Sequence, residues 1–216
     1  MSSICVFCKT YYCDFLSKIA TTNPTVDITM LKFRSPTLDD LDKVRQLYRK
    51  VARLSGGIAR REKEITTTYV RKFMKGAAAS GFHLVVDHPH DRERIVGDLH
   101  CQTLTPKAFS HVLGALTIAI DPDFQGQGIG KMLLQKLLNF VEQKRPDILR
   151  VELYTNESNH HALALYDKMG FNREGKMIGK IRTHDGNITS DIPLAWFNPN
   201  FYLRHINNNF GTKFIG

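Results

Sequence analysis

The 216-residue chain is 42% hydrophobic and 24% charged, the composition of an ordinary globular domain, which argues against disordered and fibrous classes. Thirty Lys+Arg against 21 Asp+Glu leave a formal charge of +9, so the surface attracts polyanions, a phosphorylated ligand among them. No window approaches the ~18 apolar residues of a membrane span, and the N-terminus lacks the pattern of a leader, so a cytoplasmic protein is expected.

Three of the four cysteines, Cys5, Cys8 and Cys13, crowd the N-terminus, with Cys101 far away, which is no disulfide framework. The pair in "CVFC" is half of a zinc site, but no second pair of ligands accompanies it, and no metal is expected. Residues 1–27 show no sustained period. Phe7, Tyr11, Phe15 and Ile19 do fall four apart, so two readings stay open: a loose appendage, including a start placed upstream of the real one, or an added helix.

From Ile28 the pattern is regular. A strand leads into a helix begun at Thr37, with Leu41, Val44, Leu47, Tyr48, Val51 and Leu54 at helical spacing and Gly56-Gly57 as its stop. A second helix is expected over 62–75, with Ile65, Tyr69, Phe73 and Met74 on one face. Two strands follow around the turn "DHPHD". In the second of these, Asp98 and His100 share a face, opposite Ile95 and Leu99. The next strand, "HVLGALTIAI", is apolar enough to be buried on both faces. A helix carrying Met132, Leu133, Leu137, Leu138 and Val141 comes next, closed near Pro146. Then come the strand "ILRVELYT", a short helix ended at Gly170, two strands around "THDGN", and a tail over 201–216. The order is that of a single mixed α/β domain without repeats.

The chemistry concentrates in "DFQGQGIGKM". A P-loop needs G-x-x-x-x-G-K-[ST], but Met132 follows Lys131 and the residue five before Gly130 is Gln125. A dinucleotide fingerprint needs G-x-G-x-x-G, whereas Gly126, Gly128 and Gly130 are spaced G-x-G-x-G. What remains is a strand ending in a glycine turn at a helix N-terminus, which serves equally as a tight connection or as a pyrophosphate cradle.

A second segment narrows the choice. Gln125, Gly128 and Gly130, followed by Asn159, Ala162, Tyr166, Gly170 and Phe171, match in type, order and spacing the signature of the GNAT (Gcn5-related N-acetyltransferase) superfamily, which this sequence resembles. The motifs cover residues 112–172, and the element order is compatible over 28–197. The resemblance implies a GNAT fold over 28–200: a mixed sheet of six to seven strands flanked by helices and split to hold acetyl-CoA. It implies that Ile118, Ala119 and Ile120 bind the pantetheine and acetyl carbonyl through their backbone. Gln125, Gly126, Gln127, Gly128, Ile129, Gly130 and Lys131 would surround the pyrophosphate, Asn159 would position the cofactor, and Tyr166 would protonate the departing thiolate.

The general base is less constrained. Branches acting on ribosomal-protein N-termini carry Glu five residues before the motif Asn; here Tyr154 stands there. Glu152, on the same strand face, is the substitute expected, with Asp98 and His100 behind it; each residue is also an ordinary one for a strand. The expected activity is acetyl transfer from acetyl-CoA to a primary amine of a small molecule or a protein. A noncatalytic acyl-CoA-binding sensor is the alternative, which would have no use for Tyr166. Nucleic acid is not expected as a partner, since no RNP-like or helix-turn-helix signature accompanies the charge. Oligomeric state is open, a homodimer included.

Overall fold

The computed structural model describes Asp27 and residues 30–54, 58–183 and 185–201. The expectations for residues 1–26, for a strand beginning at Ile28, for a stop at Gly56-Gly57 and for the tail beyond Phe201 lie outside the described residues.

Strand β1 (Phe33–Arg34) precedes helix α1 (Leu41–Ala52), which is entered through a 3-10 turn at Leu38–Asp40. Thr37 opens that turn, its backbone N–H donating to Asp40 Oδ2 at 2.8 Å. The guanidinium of Arg34 reaches both oxygens of Asp40, at 2.7 and 2.8 Å, while its Nε donates to Asp87. One side chain thus ties β1 to the start of α1 and to strand β2 (Phe82–Asp87). The apolar stripe of α1 is buried as its spacing dictates, except that the helix ends at Ala52 and Leu54 lies exposed beyond it.

Helix α2 occupies Thr67–Ser80, later than the 62–75 expected. Thr66 is the reason: its hydroxyl accepts the Tyr69 N–H at 3.1 Å and caps the helix, leaving Glu62–Glu64 a separate 3-10 turn. The helix then runs through Gly76, where a Cβ would fall 1.8 Å from the Gln102 side chain. That glycine admits a strand side chain against the helix instead of ending it.

Strands β3 (Ile95–Thr103), β4 (Val112–Ile120), β5 (Arg150–Asn156), β6 (Asn172–Arg173), β7 (Met177–Arg182) and β8 (Ile188–Phe197) complete an eight-stranded sheet in which β1 and β6 are only two residues long. Its order is β1-β2-β3-β4-β5-β8-β6, with β7 following β6 along the same edge of β8. Every pairing is antiparallel except β4 with β5. Helices α3 (Ile129–Lys144) and α4 (His160–Lys168) cover one face, burying Leu133, Leu134, Leu137, Val141 and Leu163 against Leu99, Leu113, Val151 and Leu153. Helices α1 and α2 cover the other, where Val44, Leu47, Val70 and Phe73 pack on Val85, Ile95 and Ala119.

Two strand expectations need correction. The strand buried continuously is β3, from Ile95 to Cys101; β4 is half-buried or exposed at Ala115, Thr117, Ile118 and Ile120. Ile95 also faces the same side as Asp98, since both lie toward α1 and α2. The register shift between Val86 and Asp87 breaks the simple alternation that would have opposed them.

The exposure of β4 follows from a bulge. His100 pairs with Thr117 and Gln102 with Gly114, so two steps along β3 match three along β4. The extra residue is accommodated at Ala115, whose φ is 51°, a value rare for a residue with a side chain. A bulged strand bends. Because Ala115 is exposed, a substitution there tests the backbone alone. Ala115→Val places a β-branched residue at positive φ and is expected to lower stability by ~1–3 kcal/mol, about 3–10 °C in Tm, whereas Ala115→Gly should leave Tm unchanged or raise it. Equal melting of the three proteins would remove the strain from this bend.

Candidate active site

The two central strands are joined over very little of their length. Val112 pairs with Arg150 and Leu113 with Val151, and no further pair links β4 to β5. The bulge at Ala115 follows directly, so β4 turns away from β5 just past their last contact. The residues expected to bind the pantetheine and acetyl carbonyl, Ile118, Ala119 and Ile120, lie in that divergent segment. Ile118 and Ile120 lean toward the α3 side and Ala119 toward α1 and α2, leaving backbone groups for a ligand along the open edge.

At the end of β4 the chain makes a 3-10 turn (Pro122–Phe124) and enters the glycine segment. Gly126 and Gly128 have φ of 76° and 82°, and a Cβ on either would meet nothing within 4 Å. Their role is conformational, and the space beside them is open. Gly128 is the N-cap of α3 and offers no side chain to its first amides, which face outward from the helix end. Gly130 lies inside the helix, where a Cβ would touch Leu165 of α4 at 3.8 Å.

The polar residues of this turn divide. Gln125 donates to the Ile120 carbonyl at 3.1 Å and Gln127 to that of Asp123 at 3.4 Å, so both brace the loop. Ile129 is buried in the core and presents only its backbone amide. Lys131 is exposed at the helix start, where its ammonium can meet an anion.

The second motif sits on α4. Asn159 Oδ1 caps that helix by accepting the Ala162 N–H at 3.2 Å. Gly170, at φ 83°, turns the chain out of it, and Phe171 is buried in the core, so the last two signature residues are structural. Tyr166 packs on the same core with its ring 5.7 Å from that of Phe171. Burial pushes its phenol up to about 12, which keeps the hydroxyl protonated at neutral pH.

Glu152 does share a face of β5 with Tyr154, opposite the buried Val151 and Leu153. Its carboxylate lies 3.1 Å from Arg150, a guanidinium that also grips Glu174 through two hydrogen bonds. Tyr154 is exposed, with Lys180 4.4 Å over its ring. Asp98 and His100 are brought together with Tyr48 and His83 beneath α1 and α2, all four buried.

One set of residues escaped the sequence reading. Asp121, buried at the end of β4, accepts from Lys50 of α1 at 2.6 Å and from Arg94 beside β3 at 3.0 Å, and its Oδ1 caps the turn at Asp123. This clamp fixes where the glycine segment begins. The only signal in the sequence was "DP" at the end of an apolar strand, a turn-starting pair.

Gly128 and Gly130 should respond differently to alanine. Gly128→Ala forces a side chain into the left-handed region and should lower stability by ~1 kcal/mol or somewhat more, about 2–5 °C in Tm. Gly130→Ala, in a helix with room for a methyl, should be neutral or stabilising. The reverse order in thermal melting would refute this division.

Comparison with known proteins agrees with this geometry. Residues 42–171 match the profile of the acetyltransferase (GNAT) family. A 55-residue stretch is 44% identical to the ribosomal protein bS18-alanine N-acetyltransferase of Salmonella typhimurium, covering 26% of this chain and 36% of that protein, so the chain spans about a third of the length of the curated relatives it matches first. Among solved structures, a ribosomal-protein-alanine N-acetyltransferase from Brucella melitensis superposes with a TM-score of 0.65 at 18% identity, over 77% of this chain and 99% of that one. A phosphinothricin acetyltransferase from Sinorhizobium meliloti, in complex with acetyl-CoA, superposes with a TM-score of 0.67 at 17% identity, over 78% and 89%. With the profile spanning more than half of its residues and both halves of the signature in place around a split sheet, the chain belongs to the GNAT acetyltransferase family.

Proposed function

We propose that the protein is an acetyl-CoA-dependent N-acetyltransferase acting on a primary amine of a small molecule or of a protein or peptide. The observation that carries this reading is the parting of β4 from β5 after two residue pairs, at the foot of a glycine turn with open space beside Gly126 and Gly128. An extended chain with a pyrophosphate at one end and a thioester at the other fits that shape. The diphosphate would lie at the N-terminus of α3, where the first amides and Lys131 offer hydrogen bonds and positive charge. The pantetheine would lie along Ile118, Ala119 and Ile120, whose open edge can pair with its amides as a strand would. Asn159 would orient the donor from the start of α4.

In the reaction the amine nitrogen bonds to the thioester carbonyl carbon, the C–S bond breaks, and the electron pair goes to sulfur. Tyr166 supplies its hydroxyl proton to that sulfur. Its elevated pKa means that it donates only as charge builds on the thiolate, so it acts in the transition state more than in substrate binding. A sensor that merely bound the cofactor would gain nothing from a protonated phenol there, which favours the enzyme.

The acceptor in this reading is a primary amine. The stretch that resembles the ribosomal-protein enzyme is short, and Tyr154 occupies the position of that branch's Glu. A panel of small amines and short peptides, followed by release of free thiol, tests the activity; failure of every amine to accelerate it would overturn the reading. Tyr166→Phe, which keeps the ring, should lower kcat by roughly 10–100-fold with acetyl-CoA affinity changed less than about twofold. Equal turnover by variant and wild type would remove Tyr166 from the proton path. Gly128→Glu should weaken acetyl-CoA at least ~10-fold in calorimetry, by placing a carboxylate where the diphosphate belongs.

A further inference from the structure

The face of the sheet beneath α1 and α2 carries a polar cluster in an otherwise apolar layer. His83 of β2 and His100 of β3 are cross-strand partners, and Asp98 stands two residues from His100 on the same face. Asp98 Oδ1 accepts from the Tyr48 hydroxyl at 2.7 Å and lies 3.0 Å from His100 Nδ1; Oδ2 lies 2.6 Å from His83 Nε2. The ring of Phe73 stacks on His100 at 3.9 Å and 3°. Burying a carboxylate and two imidazoles is expensive unless they serve one another or a reaction.

The proton positions follow from the chemistry. Despite its burial, Asp98 is held well below the usual carboxylate range by the two imidazoles, so it is ionised and can only accept. His100 must therefore present N–H at Nδ1, and Tyr48, also 3.0 Å from that nitrogen, spends its proton on Asp98. The lone pair of His100 is left on Nε2, to which none of the described residues' hydrogen bonds runs. This is how an aspartate readies a histidine as a proton acceptor: it fixes the ring, selects the tautomer and stabilises the imidazolium once formed.

Its position connects it to the split. Across β4 the partner of His100 is Thr117, on the same sheet face and already past the bulge, in the segment that has lost β5. Thr117 is half-buried, so solvent reaches this residue, one cross-strand pair away from His100.

From this geometry we infer that His100, held by Asp98 and Tyr48, receives the proton that the acceptor amine must lose, through water along Thr117. The inference rests on the acetyltransferase reading above. An ammonium substrate passes one proton through that water to Nε2 and becomes nucleophilic. After the C–N bond forms, the nitrogen's second proton replaces the one that Tyr166 delivered to sulfur, and His100 returns its proton to solvent. One amide, one free thiol and one released proton result.

Burial lowers the pKa of His100 below its ordinary 6.5, so the ring is neutral and ready at neutral pH. Among the described residues, the titratable groups around it are Tyr48 from α1, Tyr69 from α2, His83 from β2 and Asp98 on β3; the facing residues of β4, Thr117 and Ala119, do not titrate. With the best amine of the panel at saturation, kcat of the wild type should fall on the acid side with a midpoint below about 6.5. His100→Gln should lower kcat by about 100-fold and abolish that limb, with the KM for acetyl-CoA within about twofold. Tyr48→Phe preserves the ring and removes one donor from Asp98, which then holds an imidazolium more firmly; the acid limb should move to higher pH. This shift keeps the test decisive if His100→Gln does not fold.

A limb retained in His100→Gln with kcat within about threefold, a limb unmoved in Tyr48→Phe, or a limb lost in Glu152→Gln but kept in His100→Gln would each overturn the relay while acetyl transfer stands. A wild type that acetylates no amine would sink both readings. His83, Asp98 and His100 also bring ligand-type atoms within 4.8 Å of one another. One equivalent of zinc in the purified protein, lost together with activity in Asp98→Asn, would make the cluster a metal site and overturn the relay as well.

Discussion

Everything at the centre of this molecule depends on β4 and β5 being held together at one end and apart along the rest. Two residue pairs join them; beyond, each strand needs its own support, because an unpaired edge in the middle of a sheet would otherwise close on itself. The β4 half has β3 along its whole length, with α1 and α2 on one face and α3 on the other. The β5 half has seven consecutive pairs to β8. The split stays open because two well-packed bodies meet only at its base, and because the extra residue at Ala115 turns β4 away at the point of parting.

That arrangement explains where the side chains of the signature are spent. Few of them are free for chemistry. Gly128 and Gly170 are needed for backbone angles, Gln125 and Asn159 brace a loop and cap a helix, and Phe171 fills the core. Their joint effect is to start α3 just beyond β4 and α4 just beyond β5, with Tyr166 on the second helix packed against the core. A motif of this kind is a set of folding instructions for a shape, and in the proposed reading the ligand would be recognised mainly by the backbone so arranged.

Much of the fold was legible because the apolar periods are strong: the stripe of α1 from Leu41 to Val51, the stripe of α3 and the alternation of β5 appear in the structure as read. What failed had physical causes outside local pattern. Helix α2 was displaced toward its C-terminus because a threonine hydroxyl decided its start and a glycine within it made room for Gln102. The side occupied by Ile95 was misread because a register shift between Val86 and Asp87 is decided by pairing with another strand. The parting of β4 and β5 was implied by resemblance alone; nothing in "HVLGALTIAI" announces that the strand bends at Ala115. Lys50, Arg94 and Asp121 stand too far apart in the chain for spacing to connect them.

The buried cluster raises the question of how a fold tolerates ionisable groups in its core. Tyr48, His83, Asp98 and His100 come from three different elements, and the other three all meet the Asp98 carboxylate, so the layer beneath α1 and α2 closes without stranding that charge. Removing any one member would leave its neighbours buried and unsatisfied, a larger loss than the bond itself. Apolar residues of similar volume would fill the same space with less risk, and the adjacent Val85, Ile95 and Ala119 show that this face accepts them. The relay inferred above gives a polar network in such a place, one strand from an open edge and on the face of α1 and α2, a use for its protons that packing alone does not supply.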